Sequence, residues 1–540
     1  MPPLPRRVFF ATAAFSLAAT TALGWGLIRV SAPTFDEPVH LASGYTALIN
    51  RGKPPLNYRD HPPFGELWAA LPLLWLRPAL FFQSPDLKAG RIYRYADFFL
   101  YKNRVDAERL LNSARLWSLL TWSAAAGLAI LEWSLRLGGM PALVFSGLFF
   151  AFCVPLYSNA ALVTTDSPAA VLYFLTFWAL ARFQGRAVAC AGILIGLAMA
   201  SKFNMFVLPA LATGLIAFDR RLNGGAWSAS RWLAAALLAL AVLVLVYGLG
   251  GTRYYIEGLL ATLRRLDQGR GSFFFGRHST TGTWLYFPAA LLIKTPLPLL
   301  AASAVGVALW VRKREALWLL LPPAAYFAAA SLSKVQIGYR HLLPIFPFLV
   351  VLGALGAAWA WRLSRPGRIA AALAALWCAV SVTRVYPYSL AYFNELVGGP
   401  AQGYRYLVDS NLDWGQDIKT LAEELRRRGD PAVILCYFGM ADPRYYGLRY
   451  IPLGVDRSEG AADPKELKDI LLAVSATHLQ STYFADKNLF SWLKERQPVY
   501  VAGHSIFLYD LSADADGRSR LAALLESSGQ GGAARAVAVR

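Results

Sequence analysis

The chain has 540 residues, 56% in the hydrophobic set and 16% charged, where a soluble globular protein sits nearer about 45–50% apolar and about 25% charged. That balance excludes an ordinary soluble enzyme and a disordered chain. The 53 Lys and Arg outnumber 33 Asp and Glu, but these cations punctuate apolar runs instead of gathering on a polar domain, which argues against nucleic acid and for a polytopic membrane protein.

A spanning helix needs roughly 20 mostly apolar residues. In chain order, spans are expected near residues 8–28, 114–135, 141–157, 168–180, 187–200, 203–218, 232–249, 284–311, 317–331, 341–361 and 369–386, about eleven in all. The first follows Arg6 and Arg7 as a signal peptide would. It is longer than a signal core and ends at no small-x-small site, so it reads as a retained span.

Charge sets the orientation. With a cytoplasmic N-terminus, the inside connections carry Arg136, then Arg182 and Arg186, then Arg220, Arg221 and Arg231. The last two carry Arg312, Lys313 and Arg314, and Arg362, Arg365 and Arg368, with Asp219 and Glu315 the acidic exceptions. This obeys the positive-inside rule and puts the C-terminal region outside an inner, multi-pass membrane protein, in the periplasm or extracellular space. Residues 1–386 then form a transmembrane domain with external loops 31–112 and 250–283, the first expected as amphipathic helices on the membrane surface. Residues 387–540 form a small external α/β domain. Its helix-like runs are 412–428, 465–473 and 489–495, its strand-like runs 433–438 and 499–509, and it is expected to fray from about Asp514.

Candidate chemistry gathers at the external rim. Asp36 and Glu37 follow the first span; Thr34 and Glu37 have capping-box spacing and Pro38 suits a first turn, so a helix starts there. Adjacent helical residues do not share a face, so one acid can serve as a base while the other holds a cation or the backbone. The plain alternative is helix capping for both. Asp166, before Ser167 and Pro168 on the next external turn, reads either as an N-cap or as a second acid facing Asp36.

Cations lie at the same level. Lys202 is at an external hairpin, Lys294 lies inside an apolar run, and Lys334 and Arg340 open the next-to-last span. Lys202 and Lys334 are open to plain snorkelling, whereas Lys294 calls for a partner or a polar cavity. Such cations suit a lipid-phosphate leaving group. His61, fixed before Pro62 and Pro63, and His278 on the second external loop are substrate-binding candidates.

Metal and nucleotide signals are missing. Cys153, Cys190, Cys378 and Cys436 form no CxxC pair, and the run Asp409–Asp417 fails as a calcium loop because its glycine comes one place late and Thr420 stands twelfth. No Walker or dinucleotide motif occurs in a strand–turn–helix context.

Three features in this order resemble the GT-C superfamily: the Asp-Glu pair after the first span, the acid on the second external loop with a His-Pro-Pro stretch between, and an Arg-His-Leu-Leu-Pro-x-x-Pro run at Arg340. Within it the chain is most similar to phospholipid-carrier-dependent glycosyltransferases, relatives of protein O-mannosyltransferases and aminoarabinose transferases. The runs 287–298 and 409–417 also look typical of bacterial members.

The resemblance implies a GT-C fold and inverting transfer, at the outer face, of a sugar from a polyprenyl-phosphate donor to a protein, lipid or glycan hydroxyl, as in protein glycosylation or cell-envelope assembly. Asp36 would be the base, and Asp166 would position the acceptor or share its proton. Arg340, Lys334, Lys202 and Lys294 would be the candidates for the phosphate, with membrane lipids around the carrier and neither metal nor other cofactor. The rival reading is a secondary transporter or lipid flippase. It predicts ionisable groups at mid-membrane, as Lys294 allows, but also related halves, and no internal repeat is present.

Overall fold

In the computed structural model the protein is mainly helical, and residues 3–50, 56–183, 188–223, 228–248, 250–454 and 462–539 are described. Arg186 and the expected span ends Ala187 and Leu249 lie outside them. Each of the eleven apolar segments contains helix, but several are interrupted, at 152–153, 295–296 and 320, or run past the end of their helix, as at 384–386. Among the described residues, six helices have the length and apolarity to cross a membrane, or seven if the pair Tyr286–Lys294 and Leu297–Trp310, bent by 115°, counts as one span. The count of eleven is not reached on those grounds, because several helices are short. Val188–Met199 has 12 residues and covers only about 18 Å of a hydrocarbon layer about 30 Å thick.

One long helix hides two of the expected segments. Ala107–Ala151 is broken at Gly139, whose φ of 65° a side chain would strain. A Cβ on Gly127 would sit 2.8 Å from the Phe150 ring, so the chain doubles back and the two arms pack against each other. Tyr339–Leu363 runs through the middle of the bundle and is almost wholly buried. Its neighbour crosses closely at Gly306, where a Cβ would meet the Leu352 carbonyl at 2.1 Å, the small-residue packing that lipid-embedded helices favour.

The segments between and after the apolar helices build on this base. The described residues of 31–106 form a layer of short helices, including Glu37–Ile49, Phe64–Ala70 and Ile92–Tyr101, around Leu41, Ala69, Tyr95 and Phe99 and against Leu110 of the long helix. Residues 250–283 hold helix Thr252–Gln268 and a hairpin of β1 (Ser272–Phe274) and β2 (Arg277–Ser279).

The tail carries a five-stranded sheet of β3 (Val433–Cys436), β4 (Tyr450–Pro452), β5 (Leu471–Ser475), β6 (Tyr500–Ala502) and β7 (Ile506–Asp510), in the order β4-β3-β5-β7-β6. β3 pairs in parallel with β4 and β5, and β7 antiparallel with β5 and β6. Three expectations are corrected here. Residues 465–473, expected as helix, make one 3₁₀ turn and then enter β5; a short apolar run buried at every position has no periodicity to separate strand from helix. The chain from Asp514 does not fray. Asp514 caps helix Ala515–Ser527 by accepting from the Gly517 N–H at 2.8 Å, and Leu521, Leu525 and Val537 are buried. The helix expected at 412–428 begins only at Ile418, because the preceding residues are drawn into the membrane portion. There the Ala32 and Phe35 N–H groups donate to the Gln416 and Trp414 carbonyls at 2.8 and 2.9 Å.

Candidate active site

Asp36 stands at the N-cap of Glu37–Ile49, yet its side chain caps nothing. It turns instead to Arg340, whose Nη1 donates to Asp36 Oδ2 at 3.2 Å and to Asp166 Oδ2 at 3.2 Å. Lys202 pairs with the other oxygen of Asp166. Four side chains from separate turns thus form one cluster of two carboxylates and two cations. Asp36 is its most open member, with 22% side-chain exposure against 3% for Asp166 and 10% for Arg340.

The tail holds the guanidinium in place. Arg340 Nε donates to Ser410 Oγ at 3.1 Å, and its plane lies over the Trp414 ring, 4.0 Å from the centroid. Ser410 in turn donates to the Ile337 carbonyl at 2.9 Å. The run Asp409–Asp417 therefore serves as a wall of the site.

Glu37 faces away from Asp36. It is wholly buried, and both its oxygens are engaged by Arg115, Nε to Oε1 at 2.8 Å and Nη2 to Oε2 at 2.5 Å. The Thr34 N–H donates to Oε2 at 2.8 Å, the capping spacing seen in the sequence, and the Val163 N–H donates to Oε1 at 2.9 Å. Burial opposes its charge, but Arg115 and these donors outweigh burial and hold its carboxyl below the usual carboxylate range. Glu37 is thus a structural anchor rather than a catalytic group, because no face of it is open. Arg115 also donates to the Ser31 and Ala32 carbonyls, so this pair fixes the turn that presents Asp36.

A second polar layer lies behind the acids. His40 Nδ1 is 2.9 Å from Glu66 Oε1, and Glu66 also accepts from Ser43 and Asn57. His61 packs edge-on to His40, with ring centroids 4.8 Å apart, and its Nδ1 is 3.3 Å from Thr165 Oγ1. Burial disfavours charge on His40, but the Glu66 bond outweighs it and raises this imidazole above its ordinary value. Burial, then His40 and Lys202, push His61 well below its own. His61 therefore lies beside the cluster as a neutral group.

Three sequence candidates are not brought to the acids. Lys334 pairs with Asp267, to its carbonyl at 2.8 Å and its Oδ1 at 3.1 Å. His278 Nε2 is 2.6 Å from the Gln480 carbonyl. Lys294 is fully enclosed: it donates to the Leu390 and Asn411 carbonyls and lies over the Tyr339 and Phe393 rings at 4.7 and 4.3 Å. A buried cation so surrounded ties the tail to the bent helix pair and has no side open to a phosphate. Among the described residues, no three His, Cys, Asp or Glu side chains gather to hold a metal ion.

Sequence reasoning missed Arg115, His40 and Glu66, and it singled out the run 409–417 without giving its Ser410 or Trp414 a role. Of the first three, only His40 had a local signal, being one helical turn after Asp36 on the same face.

Nothing matches this sequence among family models or curated proteins. Among solved structures, the chain is similar to ArnT from Cupriavidus metallidurans in the apo state (14% identity, TM-score 0.44, covering 93% of this chain and 97% of that one). It is also similar to ArnT from the same organism bound to undecaprenyl phosphate (14% identity, TM-score 0.47, 94% and 98%). A third similarity is to the archaeal oligosaccharyltransferase AglB from Archaeoglobus fulgidus, in complex with an inhibitory peptide and a dolichol-phosphate (14% identity, TM-score 0.45, 78% of this chain and 58% of that one).

Proposed function

We propose that the protein is a membrane glycosyltransferase of GT-C type, moving a sugar from a polyprenyl-phosphate donor to an acceptor hydroxyl at the outer face of the membrane, with inversion. The observation that carries this reading is the convergence of Asp36 and Asp166 on Arg340, with Lys202 alongside. A glycosyl phosphate already has a good leaving group, so the breaking of its C1–O bond calls for positive charge on the departing phosphate. Lys202 and Arg340 supply that charge. An acceptor hydroxyl is a poor nucleophile, and a carboxylate that takes its proton as the new C1–O bond forms lowers the barrier. Asp36 has the exposure for that role, while the enclosed Asp166 spaces the two cations. The carrier's own phosphate does the work of activation, so the scheme uses neither metal nor cofactor. The transporter reading loses its motivating residue, since Lys294 is sealed among carbonyls and rings.

The test uses undecaprenyl phosphate as the probe, with binding to the full chain in nanodiscs followed by thermophoresis. Arg340→Ala and Lys202→Ala are each expected to weaken binding by about tenfold or more, the value of one charge-assisted contact. Unchanged binding in both would remove the phosphate from this site. The orientation has its own measurement. Ser491→Cys, on the exposed surface of the tail, is expected to react with an impermeant maleimide added outside spheroplasts. Reaction only after the membrane is opened would reverse the topology.

A further inference from the structure

Beside Asp36, from Phe35 across to the tail, runs a row of aromatic side chains that the phosphate chemistry does not use, its middle ring, Phe438, buried. Phe35 stacks on Phe438 of the tail, with centroids 5.5 Å apart and planes 24° apart, and Phe438 stacks on Tyr483 at 5.6 Å and 19°. Tyr93 closes one end edge-on to Phe35 at 6.0 Å. Arg270 closes the other, its guanidinium 5.5 Å from the Tyr483 centroid. At these separations near-parallel rings are offset, so they form a stepped wall rather than a closed pile. Its two end tyrosines are open, 43% for Tyr93 and 36% for Tyr483.

The wall stands at the acid cluster. Phe35 is the residue before Asp36, and both Tyr93 and Arg270 are within electrostatic reach of the Asp36 carboxylate. Tyr483 donates to Asp409, whose neighbour Ser410 orients Arg340. A group that brings a hydroxyl to Asp36 therefore arrives against these rings.

We infer that the wall is the acceptor subsite and that the acceptor hydroxyl belongs to a sugar ring. This rests on the glycosyltransferase reading above. A pyranose presents a face of C–H bonds that carry partial positive charge, which suits the negative face of an aromatic ring, and its hydroxyls point outward in the ring plane. The Tyr93 hydroxyl and the Arg270 guanidinium lie at the two ends, placed to meet such hydroxyls or an anionic substituent.

A peptide acceptor fits less well, because the adjoining backbone is already used. The Ala32 and Phe35 N–H groups are bonded to the tail, the Thr34 N–H is bonded to Glu37, and Pro33 has none. The Ser31 and Ala32 carbonyls accept from Arg115. Residues 32–35 thus have no free N–H with which an extended peptide could pair.

The experiment is saturation-transfer difference NMR on the full chain in nanodiscs. The probes are the methyl glycosides of glucose, mannose, galactose and N-acetylglucosamine, and a Gly-Ser-Gly peptide. At least one glycoside is expected to receive saturation through its ring C–H protons, and the peptide none. Tyr93→Ala and Tyr483→Ala are expected to weaken glycoside binding by about tenfold, whereas Tyr93→Phe and Tyr483→Phe, which keep the ring, retain most of it. Binding of undecaprenyl phosphate, measured on the same samples, reports both folding and the donor site and is expected to be unchanged in Tyr93→Phe. Saturation of the peptide alone, of no probe, or equally in the Ala variants would overturn the inference. If donor binding persists in those cases, the glycosyltransferase reading survives; if it is absent from the unmodified chain, that reading falls first.

Discussion

Asp36→Asn is expected to lower the rate of sugar transfer by about 10²–10⁴-fold, the usual contribution of a positioned general base. The amide has the shape of the carboxylate and its oxygen can still accept from Arg340, so the cluster keeps its geometry. What the substitution removes is the capacity to take the acceptor's proton. Donor affinity should hold or rise slightly, because one negative charge beside the incoming phosphate is gone. The expected signature is therefore a fall in kcat with an unchanged Kd for undecaprenyl phosphate. Asp166→Asn should behave differently. It releases Lys202 and one partner of Arg340, so its main effect falls on donor binding. Single-turnover transfer from a polyprenyl-phosphate sugar, read beside donor binding, separates the two. Retained turnover in Asp36→Asn would exclude Asp36 as the base.

The contrast between these acids was partly legible in the sequence, and the limit is instructive. Position relative to the spans placed Asp36, Asp166, Lys202 and Arg340 at one level, since topology alone assigns each external turn to a side of the bundle. The Thr34–Glu37 spacing announced a helix start, although the N-cap proves to be Asp36 with a side chain that caps nothing, and the break between Arg136 and Pro141 separated two apolar arms that one unbroken helical run would have merged. What a local string could not convey was the direction of each side chain.

Glu37 adjoins Asp36 but turns inward, because its partner Arg115 lies 78 residues further on. Lys294 looked like a phosphate ligand, but its acceptors Leu390 and Asn411 come from 96 and 117 residues away. The same blindness explains Trp414 and Ser410. Their run reads in isolation as a failed calcium loop and a family-typical string, and becomes a wall of the site only when Arg340 is packed against it. Long-range partners decide roles here, and periodicity carries no record of them.

Arg115→Ala should show how much the fold depends on one such pair. The substitution leaves Glu37 wholly buried without its cation and strips the donors from the Ser31 and Ala32 carbonyls. Breaking a buried pair in this way costs about 3–5 kcal/mol, a large share of the stability of most domains. The turn that presents Asp36 would lose its anchor, so transfer is expected to vanish with the folded state and the midpoint of thermal unfolding in detergent to drop sharply. Removing both charges, as in Glu37→Gln with Arg115→Met, leaves no uncompensated ion and should recover part of that loss; a strictly additive pair of effects would mean the ion pair is not the cause. The pH dependence has a definite sign. Glu37 is held below its ordinary range in the folded chain, so the unfolded chain binds its proton more readily. Its contribution is therefore present above the ordinary carboxylate range and is lost as pH falls through the folded value. The unmodified protein should accordingly lose stability on acidification through that window, and the Glu37→Gln, Arg115→Met pair should show a flatter profile there, because the group whose proton uptake drives the loss is no longer present.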